Sequence, residues 1–349
     1  MTDSREPRTD NPQPSAPSVP ETTASLAGTV LRAQGGIYEV ETPSGVVSAV
    51  LRGKLKREPR GTRASSEQRR ARERPESPDR RDDRVAVGDR VVVERAGEDE
   101  RAPWAIEEVE ERRTALVRRA PGKAPRGKTI IANVEQILIV FAVTQPEPHL
   151  RMLDRFLVLC EASGLSAVIV ANKTDLAPIE EAKAIFGRYE EIGYPVIYAA
   201  SKKGIGVEEV RKRLCGHTSA LTGPSGVGKS SLLNAVQPGL ALRVASISDA
   251  VQKGRHTTVT AQLIPLECGG YVADTPGLRE VGLWGIDPEE LDHYFVEFRP
   301  YLEHCRFGSS CTHSHEPDCA VREAVLAGKI NPERYESYLR MLLGDEEEP

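Results

Sequence analysis

Long apolar runs are missing from this chain of 349 residues. None approaches the roughly 20 residues that a membrane-spanning helix needs, so no such helix is expected. The opening stretch, MTDSREPRTDNPQPSAPSVPETTAS, lacks the apolar core of a secretory leader, which makes the cytoplasm the expected compartment. Cysteine is scarce as well. Six in a chain of this length do not make a disulfide framework, and in a reducing compartment all are expected to be thiols. Cys160, Cys215 and Cys268 lie singly among apolar neighbours and read as core filling, whereas Cys305, Cys311 and Cys319 crowd together with histidines between them.

The formal net charge is −5, yet thirteen Lys/Arg stand against seven Asp/Glu between Arg52 and Arg84. An acidic total therefore leaves room for a local nucleic-acid surface. The length suffices for two or three domains.

Residues 1–25 are rich in Pro, Ser, Thr and Asp, with little to bury, and read as a disordered tail. From Leu26 short alternating runs follow: LAGTVLRAQ, GIYEVET, GVVSAVLR, VGDRVVVE and PWAIEEVEE, with Gly35-Gly36, Pro43-Ser44-Gly45 and Gly88-Asp89 as turn signals. Five such strands predict an OB-fold barrel over 26–113, interrupted at about 56–84 by a basic, aperiodic insertion that reads as a mobile loop or as a merely solvated spacer. Tyr38 and Trp104 are the obvious aromatics there, so Arg/Lys contacts to phosphate should dominate any nucleic-acid binding. From Asn133 the pattern turns to α/β. EQILIVFAV reads as a strand buried on both faces; HLRMLDRFLVLCEASG, SAVIVANKTDL, EEAKAIFGRYEEIG and PVIYAAS alternate helix and strand after it. Such alternation predicts a doubly wound sheet with ligand loops at the strand C-termini, here over 114–286. Residues 287–343 read as helical around the Cys/His cluster, and 344–349 as an acidic tail.

The strongest motif is Gly223-Pro224-Ser225-Gly226-Val227-Gly228-Lys229-Ser230-Ser231, preceded by the apolar TSALT and followed by SSLLNAV. Its glycines let backbone N–H groups curl round phosphate oxygens at a helix N-terminus. Lys229 would reach the β- and γ-phosphates and the Ser230 hydroxyl would ligate Mg²⁺. The base is chosen elsewhere, by Asn172-Lys173-Thr174-Asp175. The Asp175 carboxylate can accept from guanine N1–H and the 2-amino group, a donor pair that adenine lacks. Asn172 would brace the loop and the Lys173 stem would lie over the ring. Ala200-Ser201-Lys202 fits the loop whose N–H meets guanine O6.

Asp274-Thr275-Pro276-Gly277 reads as the switch loop, with Asp274 holding Mg²⁺ through water and the Gly277 N–H sensing the γ-phosphate. The next residue is Leu278, which cannot orient an attacking water as a glutamine does, so intrinsic hydrolysis should be slow. In Gly254-Arg255-His256-Thr257-Thr258, Thr258 is the first choice to complete the Mg²⁺ shell and Thr257 the alternative, while His256 either polarises water or has no chemical part. Finally, Cys305-x5-Cys311-x-His313-x5-Cys319 offers three thiolates and an imidazole, a closed tetrahedral set for one structural Zn²⁺, with His315 as a competing ligand.

Ordinary Ras-like GTPases run P-loop, switch threonine, DxxG, NKxD and base-supporting loop. Here the order is NKTD, ASK, GPSGVGKS, GRHTT and DTPG, a circular permutation that sends the chain from DTPG into the Cys/His region. A barrel, a permuted GTPase and a Cys/His module, with VGDRVVV, NKTDL, GPSGVGKSSLLN, GRHTT and DTPG in this order, resemble the bacterial ribosome small-subunit-dependent GTPase family (RsgA-type) over about 26–343. The resemblance implies binding to the 30S subunit and its 16S rRNA, GTP turnover to GDP and phosphate stimulated by that subunit, and a part in its late maturation. The x5 spacing after Cys305 departs from the family's more frequent x4. No oligomer is indicated, so a monomer is expected. Two rival readings have distinct signatures: a P-loop phosphotransferase, which NKTD plus DTPG oppose, and an RNA-binding factor using GTP as a clamp, which Leu278 would permit.

Overall fold

The computed structural model describes residues 25–52, 85–96, 103–119, 127–240, 261–274 and 288–344. The tail, the basic insertion, GRHTT with His256, Thr257 and Thr258, and Thr275 to Leu278 lie outside the described residues, as do 345–349.

Strands β1 (Leu26–Gln34), β2 (Ile37–Thr42), β3 (Gly45–Leu51), β4 (Arg90–Arg95) and β5 (Trp104–Val109) pair in the order β1-β2-β3-β5-β4, and β4 returns to β1. This closed five-stranded barrel has the OB-type architecture expected from the five alternating runs. Val30, Val40, Ala49, Val91, Val93 and Ile106 fill it. Tyr38 and Trp104 pack against that core rather than standing clear as stacking platforms, and the Arg95 guanidinium lies 5.8 Å from the Trp104 ring centroid.

A strict alternation would bury every second residue of β1. Instead Val30 and Leu31 are both buried, because the register of β1 against β2 shifts between Val30 and Arg32. Val30 faces the barrel core and Leu31 the core of the following α/β domain, so one irregular strand serves two cores. The same strand pairs Arg32 with Gln262 of β12 (Gln262–Pro265), which makes barrel and α/β sheet continuous.

The junction is further held by Asp89. Its carboxylate is fully buried, accepts the Ala86 N–H at 2.7 Å and forms a two-pronged ion pair with Arg112 at 2.7 and 2.8 Å. Arg112 also donates to Thr129 Oγ1 at 3.1 Å on the hairpin β6 (Ala115–Arg119) and β7 (Gly127–Ala132). That hairpin was not evident from periodicity; Leu116 and Ile131 nevertheless belong to the α/β core.

The α/β sheet continues as β10-β9-β8-β11-β13-β12, where β8 is Gln136–Ala142, β9 Ser166–Asn172, β10 Val196–Tyr198, β11 Thr218–Thr222 and β13 Tyr271–Asp274. All these strands are parallel except β12. Every residue of β8 is buried, as its unbroken apolar run requires of a strand covered on both faces. Each large aliphatic side chain so buried contributes about 1.5–3 kcal/mol. Helices α1 (Leu150–Ser163), α2 (Ile179–Glu191), α3 (Val207–Leu214) and α4 (Lys229–Val236) connect the strands.

The C-terminal region carries short helices: a 3-10 turn over Pro288–Tyr294, α5 (Arg299–Leu302), α6 (Ala320–Leu326) and α7 (Pro332–Leu343). Asn331 caps α7 by accepting the Glu333 and Arg334 N–H groups, and Pro332 occupies the first turn, where a missing N–H costs nothing. Phe295, Phe298, Val321, Ile330 and Tyr338 pack a separate small core that also takes in Val158 of α1.

One cysteine expectation is corrected. Cys160 is a buried thiol, but Cys215 and Cys268 form a disulfide across 53 residues, and Cys268 is exposed. Cys215 caps the end of α3 and Cys268 lies in the β12–β13 turn. Parallel pairing of Thr218 with Tyr271 and a 2.9 Å bond from Gly216 N–H to the Gly269 carbonyl bring these two turns side by side. Isolated spacing in the sequence carries no trace of that approach.

Candidate nucleotide site and metal centre

Parallel strands deliver their loops to one edge of the sheet, at the strand C-termini. On that edge stand the loop after β8, the NKTD loop after β9, the ASK loop after β10, the P-loop after β11 and Asp274 at the end of β13. The side chain of Asn172 is fully buried and binds the others together. Its Nδ2 donates to the Val227 carbonyl of the P-loop at 2.9 Å, and its Oδ1 accepts the Ser201 N–H of the ASK loop at 3.2 Å. One amide therefore joins three segments that are distant in the chain. Thr174 adds two bonds to the Ala199 carbonyl, from its N–H and its hydroxyl, each at 3.1 Å.

Lys173 adopts a left-handed backbone (φ 63°), and its ammonium contacts the Gln145 carbonyl of the loop after β8. Asp175, two residues further along the same loop, is exposed.

The P-loop depends on glycine at two points. Gly223 has φ +134°, and a Cβ there would stand 2.0 Å from the Val140 carbonyl oxygen. At Gly228 φ is +96°, and a Cβ would meet Asn172 Nδ2 at 2.5 Å. Both are close backbone approaches that a side chain excludes. Val227 is buried and anchors the loop, while Ser225 and Gly226 are exposed. Lys229 donates to the carbonyls of Gly223 and Pro224, each at 2.6 Å, which curls its ammonium over the loop. Ser230 and Ser231 are exposed in the first turn of α4. The backbone of Asp274 pairs with Gln262 in the β12–β13 ladder.

The second constellation is a compact metal-binding geometry. Sγ of Cys305, Cys311 and Cys319 and a ring nitrogen of His313 all lie within 4.8 Å of one another, and all four residues are buried. A tetrahedron with metal–sulfur bonds of about 2.3 Å and a metal–nitrogen bond of about 2.0 Å has edges of roughly 3.5 to 3.8 Å. Three of the six edges lie close to these values: 3.9 Å from Cys305 Sγ to Cys319 Sγ, and 3.5 and 3.4 Å from His313 Nδ1 to those two sulfurs. Burial pushes the Cys311 thiol up to about 12, with the neighbouring thiols adding to it, and raises Cys319 as well. Ligation thus requires that protons be displaced. His315 is exposed, bonded to Ser314 and outside the group of four.

Three arrangements here escaped sequence reasoning. Glu316 accepts N–H groups of Thr312, Ser314 and His315 and the Thr312 hydroxyl, holding the loop between two ligands; those bonds lower its pKa to about 2 although burial opposes them. Asp292 meets His313 Nε2 at 3.1 Å. Arg334 lies between Asp154 and Glu297, fixing α7 onto α1. None belongs to a spaced motif, so pattern alone had nothing to mark them. Among the described residues, no helix is long and apolar enough to cross a membrane.

Comparison with known proteins agrees with this geometry. The RsgA GTPase family matches residues 109–284. The chain is 48% identical over 320 residues to the small ribosomal subunit biogenesis GTPase RsgA of Gemmatimonas aurantiaca, covering 91% of this chain and 97% of that one. A protein of the same name from Moorella thermoacetica is 42% identical, with 91% and 96% covered. Among solved structures, YjeQ from Thermotoga maritima superposes with a TM-score of 0.69 at 34% identity, covering 92% of this chain and 98% of that one. YloQ, described as a circularly permuted GTPase, gives 0.67 at 27% identity, with 95% and 100% covered. The chain belongs to the RsgA GTPase family, and it is a GTP hydrolase whose nucleotide loops occur in circularly permuted order.

Proposed function

We propose that this GTPase acts on the small ribosomal subunit during its biogenesis, docking on the 30S particle through 16S rRNA and turning over GTP when docked. The carrying observation is the triple junction made by Asn172, which ties the NKTD, ASK and GPSGVGKS loops together. In that site Asp175 reads guanine, with Lys173 and Thr174 shaping its loop and Ala200, Ser201 and Lys202 supporting the base. The P-loop amides from Gly223 to Ser231 cradle phosphate, Lys229 neutralises it, and Ser230 with Thr258 holds Mg²⁺. Asp274 and Gly277 sense the γ-phosphate; Thr257 is the alternative to Thr258, and His256 a water-polarising group. Because Leu278 cannot orient water, the particle is expected to supply what the free enzyme lacks.

The Cys/His set holds one structural Zn²⁺, since four soft or borderline ligands leave no open position. Barrel arginines contact rRNA phosphate, and the protein works as a cytoplasmic monomer. The test is GTP turnover with and without purified 30S subunits. Stimulation is expected; equal rates in both would overturn the ribosome-dependent reading.

A further inference from the structure

We propose that Asp292 is the positioning residue of the metal centre, holding the His313 imidazole so that Nδ1 faces the thiols and Nε2–H points away. The inference rests on the zinc reading of the Cys/His set. A neutral imidazole has one donor and one acceptor nitrogen, and a carboxylate only accepts. Asp292 Oδ2 lies 3.1 Å from His313 Nε2, so the proton belongs on Nε2 and the Nδ1 lone pair is directed at Cys305 and Cys319.

The carboxylate is itself fixed, because its Oδ1 accepts the His293 N–H at 2.8 Å. The ring has little freedom: His313 is 1% exposed, between Phe298 at 6.3 Å and Tyr338 at 6.2 Å. The backbone of His313 is held too, its carbonyl accepting the Tyr335 hydroxyl at 2.6 Å. Such a carboxylate–histidine pair orients the ring and raises ligand basicity.

Its place in the chain adds a second consequence. Asp292 sits on the 3-10 turn Pro288–Tyr294, the first described element after the DTPG segment. Leu291 and Phe295 anchor this turn in the small C-terminal core. The first described element C-terminal to the DTPG segment therefore touches a metal ligand directly.

The experiment compares zinc affinity of the full chain with Asp292→Ala and Asp292→Asn, by competition with a chromogenic chelator. In parallel, ¹⁵N NMR of labelled histidine reads the His313 ring. Wild type is expected to hold one zinc, with Nδ1 ligated and a slowly exchanging Nε2 proton. Asp292→Ala should lose about 10- to 100-fold in affinity and exchange that proton rapidly. Asp292→Asn, whose oxygen still accepts but carries no charge, should lose several-fold and keep the proton protected. If Asp292→Ala does not fold, the Asp292→Asn affinity decides alone. Variants matching wild type in affinity and ring spectra overturn the assignment of Asp292. A wild-type protein that holds no zinc overturns the metal reading beneath it, a different and separable result.

Discussion

Arg334 is the charge on which the joint between α7 and α1 turns. Its Nη1 lies 2.8 Å from Asp154 Oδ1, and its Nε and Nη2 lie 2.7 and 3.0 Å from the two oxygens of Glu297. The side chains of Arg334, Asp154 and Glu297 are only 2%, 3% and 5% exposed. Burial works against the guanidinium charge, but Asp154 and then Glu297 outweigh it and hold its pKa above the ordinary value. The guanidinium also lies 4.8 Å from the Phe295 ring centroid, and Asp154 accepts the Tyr189 and Ser337 hydroxyls at 2.9 and 2.5 Å.

Arg334→Met keeps the apolar stem and strands two carboxylates out of water. Breaking a buried pair in this way costs about 3–5 kcal/mol. At roughly 2–4 °C per kcal/mol for domains of this size, the melting transition should fall by about 10 °C. The control is Arg340→Ala. Arg340 pairs with Glu336 on the exposed face of α7 at 3.0 Å, a contact of about 0.5 kcal/mol or less. Adding Asp154→Asn to Arg334→Met removes one stranded charge and should recover part of the loss, giving a coupling above about 1 kcal/mol. Calorimetry or circular dichroism reads both. A loss under about 1 kcal/mol for Arg334→Met, or full additivity in the double variant, would refute the argument that this buried network carries the joint.

Much of the nucleotide site was legible because its chemistry demands particular residues at fixed spacing. A loop that cradles phosphate and one that reads guanine would have to present backbone amides and one carboxylate to a rigid ligand, and few sequences match GPSGVGKS and NKTD by chance. The five barrel strands and the fully buried β8 were legible for a related reason, since burial on one face or two imposes its own periodicity. What stayed hidden joins distant parts of the chain. Asp89 with Arg112, Arg334 with Asp154, and Cys215 with Cys268 are pairings set by tertiary approach, and no local pattern encodes them. The split of Val30 and Leu31 between two cores also needed the bulge in β1 to be seen.

Three further outcomes are expected. Gly228→Ala places a methyl against Asn172 at φ +96°, which adds about 1–2 kcal/mol of left-handed strain, so GTP affinity should fall at least 10-fold in equilibrium binding; unchanged affinity would show that the approach is not tight. Oxidised protein should melt higher than reduced, by up to about 4 kcal/mol of loop-closure entropy for a 53-residue separation, and Cys215→Ser should abolish the difference. Zinc affinity should rise with pH, because burial lifts the Cys311 thiol to about 12 and the ion must displace bound protons; a flat profile between about pH 6 and 8 would count against thiol ligation.

The most direct measurement for the central claim, one guanine-reading site built from permuted loops, is nucleotide choice by Asp175→Asn. The carboxylate accepts from guanine N1–H and the 2-amino group, whereas a carboxamide turned toward the same edge donates to the 2-oxo group of xanthine. Losing charge-assisted bonds of about 1.5–3 kcal/mol each should weaken GTP binding about 100-fold and bring XTP binding up towards the wild-type GTP level. Binding and turnover of GTP, ATP and XTP should be compared for wild type and variant, with 30S subunits present for turnover. A variant that still prefers GTP as wild type does would contradict the claim that the loop after β9 reads the base.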